Sequence, residues 1–285
     1  MKILVTGAGG QLGTDVVKEC ARRQYECVGT DIKESYDYLD ITNEDMVHRV
    51  VSDVKPDVII HCAAWTDVDG AEKNVTKVYD LNVEATKYIT EAAQEVGAKL
   101  IYISTDYVFS GLGTEPWNPD TSTAIPLNVY GLSKLAGEYT VRKCNKHYIV
   151  RISWLFGLYG KNFVNTMISI GNKHKSIKVI NDQIGTPTYT VDLAELLLDM
   201  AETNKYGIYH VSNEGGYISW YDFCCEIFKQ ANIDTEIIPV STEEYGKNVA
   251  VRPRNSRLDK SKLTIKGFNL LPTWQDALKR YLEVL

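Results

Sequence analysis

The glycine-rich turn "VTGAGGQLG" at positions 5–13 follows the apolar run "KIL" and opens a helix-like pattern, and it limits what this chain can fold into. Gly7, Gly10 and Gly13 stand where a strand hands over to a helix. A chain reversing there needs a residue without a Cβ, and the free N–H groups of a helix start can cradle a pyrophosphate. Alone such a turn is a weak signal. Here it follows the first strand of a βα alternation, and Asp31 ends the second strand 18 residues after Gly13, which points to dinucleotide binding.

The alternation runs through half the chain. Strands are predicted at 2–7, 25–31, 57–64, 99–104 and 147–153, with helices at 11–24, 43–54, about 76–96 and 130–143 between them. β-Branched residues on both faces of the strands imply an α/β fold, a Rossmann-type doubly wound parallel sheet. Residues 1–155 are read as a dinucleotide-binding domain. Beyond them, "IKVINDQIGTPTY" and "VDLAELLLDMAE" predict a strand and helix returning to the sheet, so that 177–212 rejoin it. Residues 156–176 and 213–285, with short helices, loops, Pro and Trp, predict a smaller C-terminal substrate-binding lobe.

Composition narrows the partners. The net charge of −6 argues against nucleic acid or an anionic membrane surface. Met1 leads straight into the first strand without a signal peptide, and no apolar run approaches the roughly 18 residues of a membrane span, so a cytoplasmic protein is expected. The six cysteines form no CxxC pair and the five histidines are scattered. Reduced thiols and no metal site are expected.

Two further stretches carry chemistry. "KLIYISTDYVFSG" (99–111) begins as a buried strand and ends in Ser104, Thr105 and Asp106, three hydrogen-bonding side chains at the mouth of an apolar strand. "VYGLSKLAGE" places Tyr130 and Lys134 at i and i+4, one above the other on a helix face. An amphipathic helix gives that pair by chance. Chemically, though, a phenol of reference pKa about 10 needs a nearby ammonium to bring it toward neutrality for proton transfer.

The GxxGxxG spacing resembles the extended short-chain dehydrogenase/reductase superfamily, and YxxxK after a strand ending in hydroxyls resembles its active site. The resemblance implies a nicotinamide cofactor held by Gly7, Gly10, Gln11, Leu12, Gly13, Asp31, Asp40, Ile41, Cys62, Ala63, Ala64, Tyr130 and Lys134. NADH is expected to be preferred through Asp31, with NADPH accepted because Lys33 offsets part of the repulsion. It implies that Thr105 polarises a substrate carbonyl and Tyr130 donates the proton. Asp106 either tunes that transfer, binds a sugar hydroxyl, or caps the following turn. Ser104 is read as structural.

"AAWTDVDGAE", "STDYVFSG", "PLNVYGLSKLAGE", "RISWLFG", "INDQIGTPT" and "RPRNSRL" together, in order across nearly the whole chain, look like the dTDP-4-dehydrorhamnose reductase family. That family reduces the 4-keto group of dTDP-4-dehydro-6-deoxy-L-mannose to give dTDP-L-rhamnose. The likeness implies a nucleotide-sugar substrate contacted by Val68, Thr105, Asp106, Phe109, Trp154 and Arg252, in a monomer or homodimer. Trp154 would offer an apolar face or belong to the core; Arg252 would meet a pyrophosphate or be a surface charge. Some family dimers bind magnesium through two acids. Asp15 matches one, but Val191 stands in place of the other, so no metal is expected there. Arg254 is expected to add local positive charge.

Rivals are weaker. A 4,6-dehydratase needs an acid where Tyr107 stands, and a 4-epimerase a different Ser-rich strand end. A non-catalytic NAD(P)-binding subunit, like the regulatory subunit of methionine adenosyltransferase, would not need Thr105, Tyr130 and Lys134 together.

Overall fold

In the computed structural model, which describes residues 1–122, 124–246 and 249–285, a seven-stranded parallel sheet forms the centre. Its strands are β1 (Lys2–Thr6), β2 (Glu26–Asp31), β3 (Asp37–Tyr38), β4 (Val58–His61), β5 (Lys99–Thr105), β6 (His147–Ile152) and β7 (Gly207–Val211), in the order β7-β6-β5-β4-β1-β2-β3. All six pairings are parallel. Successive residues explain why both faces need cover. Ile3 and Val5 pack with Leu12, Val16, Leu193 and Leu197 from the helices Gln11–Arg22 and Thr190–Ala201. Leu4, Ile59 and Leu100 pack on the other face with Val47, Ile89 and Val141 from Glu44–Val54, Ala85–Val96 and Val129–Val141. The strand order reverses between β1 and β4. A crevice opens at their C-terminal ends, as at the switch point of any doubly wound sheet.

The helix predicted from about 76 to 96 is interrupted. Val75–Tyr79 and Ala85–Val96 flank a π-helical turn, Asp80–Glu84. Asn82 in that turn is buried, accepts from the Trp65 N–H at 2.8 Å and donates to the Ser133 hydroxyl at 2.9 Å. It thereby ties the loop after β4 to the Val129–Val141 helix.

One expectation about the chain's second half is corrected. Ser176–Ile180 does not return to the central sheet but pairs in parallel with Glu236–Val240 in a separate two-stranded sheet. Its sequence carries the reason: Ile177 and Val179 are buried while Lys178 between them is exposed. A strand inside a parallel sheet is buried on both faces. The helix Thr190–Ala201 and β7 do rejoin the sheet. A second core of Phe156, Val164, Ile177, Phe223, Phe228 and Trp274, among others, holds the C-terminal lobe together. All six cysteines are free. Among the described residues no helix is long and apolar enough to cross a membrane.

Candidate active site

The turn after β1 is built around two positions where a side chain will not fit. Gly7 has φ +68°, and a Cβ there would come within 2.7 Å of the Ala63 backbone; a Cβ at Gly13 would stand 2.1 Å from the Gly7 carbonyl oxygen. The Gly10 N–H donates to the Gly7 carbonyl at 2.9 Å. Gly10 caps the Gln11–Arg22 helix without a side-chain bond. The helix start therefore presents N–H groups that no capping side chain covers, and a diphosphate fits such a cradle. At the end of β2, Asp31 accepts from the Gly9 N–H at 2.9 Å and from the Lys33 N–H at 3.1 Å, while the Lys33 ammonium bonds the Gly9 carbonyl.

A cleft of about 1150 Å³ runs from this turn to the end of β5. The structure brings to its walls Gly7, Gly10, Gln11, Leu12, Gly13, Asp31, Asp40, Ile41, Cys62, Ala63 and Ala64 at one end, and Tyr130 and Lys134 with Thr105, Asp106, Val68 and Trp154 at the other. The Thr105 hydroxyl donates to Asp106 at 3.0 Å, accepts from the Tyr107 N–H at 3.2 Å, and lies in hydrogen-bonding reach of the Tyr130 phenol. Thr105, not Asp106, is thus the residue that caps the turn Asp106–Val108. Asp106 is buried, and its Oδ2 lacks a well-formed hydrogen bond, with the Ser256 hydroxyl beside it. Burial pushes the Asp106 carboxyl up to about 6.

The Tyr–Lys electrostatics differ from the expectation. Burial raises the Tyr130 phenol above its ordinary value, the Thr105 hydroxyl partly opposes this, and the Asp106 charge adds to it. Burial also brings Lys134 down to about 7, against the favourable influence of Glu138 and Cys62. The Lys134 ammonium rests 4.0 Å from the centroid of the Tyr102 ring. The phenol is therefore not drawn toward neutrality by a fully charged neighbour. Two buried groups each lean to their neutral forms, because desolvation is the largest influence on both. The Ser104 hydroxyl, at the cleft wall, donates to Glu138 at 2.6 Å, and Glu138 is held bidentately by the buried Arg151 at 2.8 and 2.7 Å.

Other assignments divide. Trp154 lines the cleft with φ +50° and stacks on Trp220 at 3.7 Å; Gly185 leaves room for its ring, since a Cβ there would come 2.9 Å from Trp154 Cε2. Phe109 does not reach the cleft. It is fully buried, stacked on Trp117 at 4.7 Å with the Arg151 guanidinium 5.0 Å from its ring, which accounts for its apolar character without a ligand. Arg252 is not a free surface charge: it forks onto Asp69 at 3.0 and 2.9 Å. Asp69 also accepts from the N–H groups of Val249 and Ala250, and the Arg252 bond above all holds its carboxyl down at about 2. Arg254 adds no free charge, because Glu243 pairs with it at 2.9 Å. Asp15 is buried and accepts from the Thr190 hydroxyl at 2.5 Å, and Val191 is exposed beside it in sequence.

Trp65, Gly160 and Lys161 also line the cleft and were missed in the sequence. A signal existed for the last two. "YGKNF" sets a glycine and an asparagine before an apolar run, a turn and N-cap pattern, and Asn162 does cap the Phe163–Gly171 helix.

The model of the family described as RmlD substrate binding domain matches residues 1–285. A dTDP-4-dehydrorhamnose reductase from Aggregatibacter actinomycetemcomitans is 41% identical over 98% of this chain and 97% of its own. The chain belongs to the dTDP-4-dehydrorhamnose reductase family. A spore coat polysaccharide biosynthesis protein of Bacillus subtilis is 39% identical over 99% of this chain and 97% of its own. The crystal structure of a dTDP-4-dehydrorhamnose reductase from Bacillus anthracis in complex with NADP superposes with a TM-score of 0.94, at 44% identity and full coverage of both chains.

Proposed function

We propose that the chain reduces the 4-keto group of dTDP-4-dehydrorhamnose to dTDP-L-rhamnose with NADH or NADPH, NADH being preferred. The observation that carries this reading is the meeting of Thr105, Tyr130 and Lys134 at one end of a cleft whose other end is the Gly7–Gly13 cradle. The residues fit a dinucleotide: a cradle that a Cβ would fill, an uncovered helix start, and Asp31 at the ribose end. When bound, the nicotinamide supplies the hydride to the keto carbon.

The chain supplies the rest. The Thr105 hydroxyl orients and polarises the carbonyl, and Tyr130, kept protonated at neutral pH by burial, gives its proton to the carbonyl oxygen. Lys134 is the cation one turn away that offsets the charge left on the phenolate. Asp106, with an unsatisfied buried oxygen, accepts from a sugar hydroxyl. Trp154 presents its ring to the deoxy sugar, and Arg252, steadied by Asp69, serves the nucleotide diphosphate. The lobe of 156–180 and 213–285 carries the substrate's far side.

Oxidation of NADH and NADPH measured with dTDP-4-dehydrorhamnose, beside a panel of other nucleotide-linked 4-keto sugars, tests the reading. Turnover fastest with dTDP-4-dehydrorhamnose is expected. No oxidation with any keto sugar would leave a dinucleotide-binding protein without this reaction.

A further inference from the structure

The glycine turn has one cation beside it, Lys33, held on the Gly9 carbonyl at the Asp31 end, although a dinucleotide brings a diphosphate to the helix start beyond it. Of the basic side chains in the cleft, Lys33 is engaged with the Gly9 carbonyl, Lys134 is buried over Tyr102, and Lys77 comes from a segment that also presents Asp80 and Glu84. Asp31 adds a negative charge at the same end. An anion held by N–H dipoles beside a carboxylate is stabilised further by a positive charge from the facing wall.

That wall is the strap Gly157–Asn162, which links β6 to the C-terminal lobe. It is clasped onto Gln11, the first residue of the helix behind the cradle. The Asn162 amide donates to the Gln11 side-chain oxygen at 3.2 Å and to the Gly157 carbonyl at 2.7 Å, and the Gln11 amide donates to the Leu155 carbonyl at 3.4 Å. Gly160, at φ +84°, turns the strap beside the helix start, where a Cβ would make ordinary contact with the Gln11 Cβ at 3.8 Å. Tyr159 bonds Lys18 on the outer side of the same helix. Between these fixed points Lys161 lines the cleft, exposed and without a hydrogen bond or ion pair among the described residues.

We propose that Lys161 is a further cofactor-binding residue, its ammonium neutralising the dinucleotide diphosphate from the side opposite the glycine turn. This rests on the dinucleotide reading of the cleft.

Binding of ADP-ribose, NADH, adenosine and dTDP to the full chain and to Lys161→Gln and Lys161→Arg tests it, read by calorimetry. Lys161→Gln should weaken ADP-ribose and NADH about tenfold, leave adenosine within twofold, and bind NADH with a shallower salt dependence. Lys161→Arg should keep most of the affinity. ADP-ribose binding within twofold of the unmutated chain would overturn the proposal, as would equal losses for adenosine. A loss confined to dTDP would assign Lys161 to the substrate instead and equally overturn it. If the unmutated chain bound dTDP but neither ADP-ribose nor NADH, the dinucleotide reading would itself fall.

Discussion

Lys134 lies one helical turn beyond Tyr130, yet its ammonium is seated over the ring of Tyr102, 4.0 Å from the centroid. Tyr102 is anchored in turn by its hydroxyl, which donates to the Lys134 carbonyl at 3.3 Å. The ring face attracts the cation, but burial costs more, and the group titrates at about 7. The charge that the proposed Tyr–Lys mechanism needs is thus held at the edge of being lost.

This has a stability consequence with a definite sign. The pKa of Lys134 falls on folding from its unfolded value of 10.5 to about 7. The cost is therefore full below pH 7, where both states are protonated, and fades as pH rises toward 10.5. Lys134→Met should stabilise the protein most below pH 7 and by progressively less toward pH 10, while abolishing most turnover. Thermal melts of both proteins across that range check it, and a pH-independent difference would refute the account.

Tyr130→Phe removes the proton and leaves the ring, whose edge meets Tyr107 at 5.6 Å between centroids. The kcat should fall at least about 10²-fold with NADH binding little changed. Near-normal turnover would remove Tyr130 from the mechanism.

The cradle was readable in the sequence because its logic is local: Gly7 and Gly13 are places where a Cβ meets backbone, and strand–turn–helix context announces them. The end of β5 was readable too, because Ser104, Thr105 and Asp106 close an apolar strand, whereas the end of β4 was legible only through the family resemblance of "HCAA". What escaped was decided by packing between distant segments. Phe109 follows Thr105 and Asp106 closely enough to suggest a shared pocket, but Trp117 and Arg151 claim its ring. Arg252 meets an acid 183 positions earlier, which no local pattern reveals. The strand Ser176–Ile180 offered a clue in Lys178, an exposed charge unsuited to a sheet buried on both sides.

The Asp69–Arg252 fork predicts coupled substitutions. Arg252→Ala should raise KM for the nucleotide sugar roughly 10- to 100-fold, and Asp69→Asn, which loosens the 249–252 segment, should do so less. Because the two residues share one interaction, the double variant should fall short of the summed effects by about 1 kcal/mol. NADH affinity should not move. Equal weakening of NADH and sugar nucleotide would mean that the fork supports the fold alone.

The proposed cofactor preference turns on Asp31. Its two oxygens already accept from the Gly9 and Lys33 N–H groups, at 2.9 and 3.1 Å, which fixes the carboxylate at the mouth of the cradle. Each oxygen keeps a second lone pair, so two ribose hydroxyls can still be accepted. The 2′-phosphate of NADPH would bring a charge near −2 to the same place and be repelled. The Lys33 ammonium, held beside it on the Gly9 carbonyl, offsets part of that repulsion, so preference and not exclusion is expected. The kcat/KM should favour NADH in the unmutated chain; Asp31→Ala should narrow the gap and Lys33→Ala should widen it. Paired kinetics with both cofactors on the three proteins decide the matter. A clear NADPH preference in the unmutated chain would mean that Asp31 does not face the ribose and that Lys33 governs the site.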